Sequence, residues 1–159
     1  MVWTEDPLGT FPLKKAVESV PKARAQARTL DPIENSPKRD DILLVLSELV
    51  TNAVVHSSLG DSNSEITVSL ITGRDVLIVE VRDPGSMLSG PHVNRSSPLM
   101  GARGRGLVLV EDLCGLRWGT HISIDAERVV WAAIPLGDDA PSAEEIMIAR
   151  RKQRFRAVS

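Results

Sequence analysis

Cysteine occurs once in these 159 residues, as Cys114, which excludes an intramolecular disulfide framework and is compatible with a reducing compartment. An excess of charge of one sign is also lacking. A formal charge of −2 makes no global electrostatic case for direct nucleic-acid binding. No apolar run approaches the roughly 18 residues of a membrane span, and the first residues lack a signal-peptide core, so neither a membrane nor an export route is expected. Internal repeats and low-complexity tracts are missing as well. These absences together describe a soluble cytoplasmic protein. The hydrophobic content of 42% is enough to bury a core at single-domain length.

The chain divides by pattern into three parts. Residues 1–12 hold Trp3 and two prolines with little periodicity and form a lead-in, with a sheet edge expected near Thr10–Leu13. Residues 13–136 carry the periodic elements. In them Ser19 is expected to cap a helix reaching Leu30, with Pro21 tolerated in its first turn, and a loop over 31–37 leads to a long helix from about Arg39 to Ser57. Two alternating segments, 65–71 and 76–83, predict a hairpin across Gly73-Arg74-Asp75. Residues 84–103 are turn-rich, and a loop of that length in a compact domain suits a lid or a disordered segment. Helical spacing resumes after Gly104-Arg105-Gly106, and strands are expected at 116–119 and 128–135. Residues 137–159 form a basic helical appendage: Ser142-Ala143-Glu144-Glu145 reads as a capping box, and the run from Arg150 to Arg156 suits either a solvated helix end or an acidic partner.

Within the long helix, Ser47-Glu48-Leu49-Val50-Thr51-Asn52-Ala53-Val54-Val55-His56 carries the densest chemistry. Ile42, Leu43, Leu46, Val50, Ala53 and Val54 share a broad apolar face, and Glu48, Asn52 and His56 follow at i, i+4 and i+8 along its border. A mid-helix Asn at a core border needs hydrogen-bond partners. Its amide oxygen is a hard ligand suited to hydrated Mg²⁺, and a carboxylate one turn earlier can take a proton from a nucleophile. An ordinary amphipathic helix with a solvated polar edge accounts for the same pattern.

Two further signals follow. Asp83-Pro84-Gly85 leaves a hydrophobic strand; an ionised Asp accepts hydrogen bonds from a purine amine, and the glycine lets a flat ring approach the backbone, although Asp-Pro-Gly is also a common turn. Gly101-Ala102-Arg103-Gly104-Arg105-Gly106-Leu107 opens a helix, where small residues let backbone N–H groups meet phosphates. No Gly-Lys-Ser/Thr follows, so it is not a P-loop, and no strand leads directly into it, so it is not a dinucleotide fingerprint.

Taken in order, helix Glu/Asn, strand-end Asp-x-Gly, turn-rich stretch and Gly-x-Gly-Leu resemble the GHKL superfamily of ATP-binding domains. The Glu-Leu-Val-Thr-Asn-Ala-x-x-His form is most similar to the anti-sigma-factor serine/threonine kinases of the RsbW and SpoIIAB type. The resemblance covers roughly residues 10–136. It implies an α/β (α+β) two-layer sandwich, with a mixed, mostly antiparallel sheet covered on one face by helices. It implies ATP and Mg²⁺ as cofactors, Asn52 as the metal ligand and Glu48 as the catalytic base. Asp83 would take the adenine amino group beside Gly85, while Gly104, Arg105, Gly106 and Leu107 would form the phosphate-binding turn. His56 matches the motif's last position and is counted with the nucleotide-binding residues, packing or capping being its other role.

The implied activity is phosphorylation of a Ser or Thr on an anti-sigma-factor antagonist of the STAS-like kind, together with sequestration of a sigma factor, in a family where homodimers are common. The chain departs from the family pattern in two places. Met87 stands where a second glycine of the adenine turn is expected, and Asp125-Ala126-Glu127-Arg128 replaces a glycine-containing turn before the last strand. These departures keep open a catalytically weak or non-enzymatic ATP-binding regulator with the same fold.

Overall fold

The computed structural model describes residues 4–55, 64–84 and 104–158, the side chains of 104–107 and 154–158 excepted. Its elements run β1 (Asp6–Lys14), α1 (Ser19–Arg28), α2 (Asp31–Glu34), α3 (Arg39–Val55), β2 (Glu65–Gly73), β3 (Val76–Asp83), α4 (Gly104–Cys114), β4 (Trp118–Ile122), β5 (Arg128–Pro135) and α5 (Ala143–Val158).

The strands pair in the order β1-β2-β3-β5-β4, and every pairing among the described residues is antiparallel rather than mixed. The β2–β3 hairpin sits where the alternation predicts it. Gly73 pairs with Val76, and Asp75 turns the chain at φ 55°, a left-handed conformation that Asp tolerates better than most residues. Both prolines of β1 lie on an edge strand, where a residue without an N–H is best tolerated.

Strand alternation sends Leu77, Val79 and Val81 of β3 and Val130, Ala132 and Ile134 of β5 to one face. There they meet Leu43, Leu46, Leu49 and Val50 of α3, Ala23 and Ala27 of α1, and Val110 and Cys114 of α4. The opposite face carries a smaller cluster of Ile71, Val76, Ile78, Trp131 and Ala133, closed by Ile146 of α5. Helical cover is therefore not confined to one face, as the sequence suggested. Gly119 pairs with Trp131, and a side chain there would meet the indole at 3.0 Å, so the glycine makes room for the ring.

Two local expectations change. Ser19 is the first helical residue of α1 rather than its cap, and its hydroxyl donates to Lys14 O at 2.6 Å. The segment after α1 contains a short helix, α2, with Pro at its start, where a proline's missing N–H is harmless. The capping box holds: Ser142 N donates to Glu145 Oε1 and Glu145 N to Ser142 Oγ, both at 3.1 Å.

Candidate functional site

α3 supplies the first part of the site. Asp40 and Asp41 occupy its first turn, where carboxylates favour the positive helix end. Val45, Leu49 and Asn52, at i, i+4 and i+7, are all buried, so Asn52 lies within the packed surface of the helix rather than beside it. Asn52 is 8% exposed, and its Nδ2 has no hydrogen-bond partner among the described residues. A buried amide left unpaired costs about 1–3 kcal/mol, a cost that a bound ligand removes. Glu48, one turn earlier, is half-buried.

Asp83 ends β3, the strand against which α3 packs. Its inward parity with Val79 and Val81 turns the carboxylate towards the helical layer, and Arg128 of β5 stands opposite it in register. Lys15, just past β1, continues the inward parity of Phe11 and Leu13. Its Nζ lies 2.5 Å from Asp83 Oδ1, with the two side chains 0% and 6% exposed. Burial lowers the pKa of Arg128 below its ordinary value, and the Asp83 charge pulls it back up. Lys15, Asp83 and Arg128 thus form a buried group of two cations and one anion. Sequence reasoning missed Lys15, although a lysine two residues after Leu13 on an inward-facing parity was a signal.

Gly104, Arg105, Gly106 and Leu107 make up the first turn of α4, which packs on both α3 and β5. Their backbone N–H groups belong to the open end of a helix, where four donors lack intrahelical acceptors. The helices carrying Glu48, Asn52 and the glycine turn are consequently direct neighbours, and α3 adjoins the strand that ends in Asp83. His56, Gly85 and Met87 lie outside the described residues. Cys114, at the far end of α4, is no candidate nucleophile, because burial pushes its thiol up to about 12, with Arg117 opposing and Asp41 adding to the rise.

Residues 13–115 match the family described as histidine kinase-like ATPase domain. The chain belongs to that family. The matched span contains Lys15, Glu48, Asn52, Asp83 and the glycine turn. The chain is also similar to the serine-protein kinase RsbW of Listeria monocytogenes serotype 4a, of Listeria monocytogenes serovar 1/2a and of Listeria innocua serovar 6a. Each is 34% identical over 83 residues, covering 46% of this chain and 53% of the relative. The chain spans about half the length of the curated relatives it matches. The resemblance read from the motifs is thereby borne out, as is the expected combination of sheet and helices. Among the described residues of this histidine kinase-like ATPase domain, no helix is long and apolar enough to cross a membrane.

Proposed function

We propose that this chain binds Mg·ATP beside α3 and the first turn of α4, and transfers the γ-phosphate to a Ser or Thr hydroxyl of an anti-sigma-factor antagonist. In the same reading it sequesters a sigma factor and works in the cytoplasm. The observation that carries the proposal is the buried Asn52 amide on a helix of an ATPase-family domain, whose unpartnered Nδ2–H donors suit a phosphate oxygen.

The residues fit the implied cofactors. A neutral amide oxygen together with phosphate oxygens and water suits Mg²⁺, which keeps several waters and takes one or two protein ligands. Asn52 would hold the ion, and the ion when bound would neutralise phosphate charge. Asp83 accepts a hydrogen bond from the adenine amine. The helix-start N–H groups of Gly104, Arg105 and Gly106 face phosphate oxygens, an arrangement favoured by the helix dipole. Half-buried Glu48 receives the proton of the attacking hydroxyl. The new bond joins that oxygen to the γ-phosphorus, and the bond to the β–γ bridging oxygen breaks to release ADP. Positioning and charge neutralisation supply most of the rate in such transfers.

Similarity to proteins named serine-protein kinase RsbW supports the transfer step and the partner class. A second reading, ATP-binding regulation without efficient transfer, draws on the ion pair of Lys15 with Asp83, which already engages one carboxylate oxygen. Calorimetry with ATP and Mg²⁺, followed by labelled-ATP transfer to a co-purified antagonist, separates the two. Asn52→Ala is expected to abolish Mg²⁺-dependent ATP binding. Glu48→Ala is expected to spare binding and slow transfer by about 10²–10⁴-fold, the usual contribution of a general base. Unchanged nucleotide binding in Asn52→Ala would sink the assignment.

A further inference from the structure

We propose that Lys15 is a positioning residue that sets base selectivity, by holding the Asp83 carboxylate as an acceptor aimed at an amino-bearing purine. The inference rests on the nucleotide-site reading above and deepens it.

Lys15 lies outside the motifs that point to ATP. It is nonetheless engaged with one of them: its ammonium is fully buried, sits 2.5 Å from Asp83 Oδ1, and has no other ion pair among the described residues. A lysine in such a place is costly unless a charge partner compensates it. Asp83 has a second cation within reach, because Arg128 faces it across the β3–β5 ladder and feels its charge. The carboxylate therefore stands between two competing cations, one just past β1 and one on β5. Lys15, arriving from β1 at the sheet's other side, fixes which way it turns.

The consequence for recognition is chemical. A carboxylate is an acceptor with no proton to give. Held towards the base, it rewards the 6-amino group of adenine and repels the 6-oxo group of hypoxanthine. A site built around a hydrogen bond rejects an analogue lacking it more strongly than an apolar site does, because a buried polar group is left unpaired. When Lys15 is removed, Asp83 is left to Arg128 alone. The ATP hydrogen bond is then lost, and so is the penalty against ITP.

The test is equilibrium titration of the full chain with Mg·ATP and Mg·ITP. Wild type is expected to prefer ATP by about tenfold or more, the size of one charge-assisted hydrogen bond. In Lys15→Met the ATP:ITP ratio is expected to fall towards one, chiefly through weaker ATP binding, with ITP affinity little changed. Lys15→Arg, which keeps the cation, is expected to restore most of the ratio.

Equal weakening of both nucleotides in Lys15→Met would show a purely structural lysine and overturn the proposal. An unchanged ratio would do the same. A wild-type chain that binds ATP and ITP equally overturns it without any variant. Asp83→Asn separates the layers: if it leaves ATP affinity intact, or if wild type binds no nucleotide, the site reading itself has failed.

Discussion

Ala126 shows how much a single backbone angle matters. It turns the chain between β4 and β5 at φ 62°, in the left-handed region where an L-residue with a Cβ loses roughly 1–2 kcal/mol. The turn is held by Ser123: Ala126 N donates to its carbonyl at 3.0 Å, and Glu127 N to its hydroxyl at 3.1 Å. Ala126→Gly is expected to stabilise the protein by about 0.5–1 kcal/mol, because relief of the angle exceeds the entropy that glycine adds to the unfolded chain. Urea unfolding checks this, and a lower midpoint for the glycine variant would contradict the strain argument. The sequence marks this segment as a departure from the family's glycine-containing turn. The structure shows a turn there with a positive φ and without a glycine.

At the scale of elements, the start of α5 carries its own pH dependence. The reciprocal bonds between Ser142 and Glu145 hold the Glu145 carboxyl below its ordinary value of 4.5, the Ser142 backbone N–H being the largest cause. Between the lowered and the ordinary value, the unfolded chain binds more protons than the folded one. The stabilisation is therefore complete above the ordinary value and is lost as pH falls through the lowered one. Ser142→Ala is expected to cost about 1 kcal/mol at neutral pH, and amide exchange in the first turn of α5 should quicken. Glu145→Gln should flatten the acid side of that exchange profile; an unaltered profile would show that the box does not govern the helix start.

This box was legible in the sequence because capping is local, and so was α3, whose apolar period spans four turns. The hairpin was legible for the same reason, with alternation interrupted once at Gly73-Arg74-Asp75. What escaped depends on distant partners or on very short elements. Ser19 has the right chemistry for a cap, but its hydroxyl is taken by the Lys14 carbonyl. α2 is only four residues long, too short for a period to emerge. Of the site, Glu48, Asn52, Asp83 and the glycine turn could be nominated from motif order. Lys15 could not be paired with Asp83, because 68 positions separate them and only the sheet brings them together.

The same limit applies to the whole molecule, where Arg150 of α5 ties Glu5, just ahead of β1, to the central strand. The basic run, read as a solvated helix end or a contact for an acidic partner, begins with a guanidinium only 7% exposed, ion-paired with Glu80 of β3 and with Glu5 at 3.2 Å. It also lies 5.1 Å from the centroid of Trp131, within range of a cation–π contact. Glu80 is shared with Arg82 at 3.0 Å. Such a group adds little net stability over an apolar replacement, but removing one member strands the others, at about 3–5 kcal/mol. Arg150→Met is accordingly expected to destabilise by an amount near that range, and the pair Glu80→Leu with Arg150→Met by less.

Acid should distinguish this from simple loss of packing. Burial raises the pKa of Glu5 above its ordinary 4.5, with Arg150 opposing and Glu80 adding to the rise. A raised carboxyl binds its proton more readily in the folded state, so its contribution to stability falls as pH climbs from the ordinary value through the raised one. Taking Arg150 away removes the one cause that holds the value down, so the window in which acid helps widens. Protonation of Glu5 then relieves the stranded charge, and the defect of Arg150→Met in urea unfolding should be smaller at pH about 5 than at pH about 7.5. A defect of the same size at both pH values would mean that Arg150 matters through its contact with Trp131 and its packing, and not through the charges it joins.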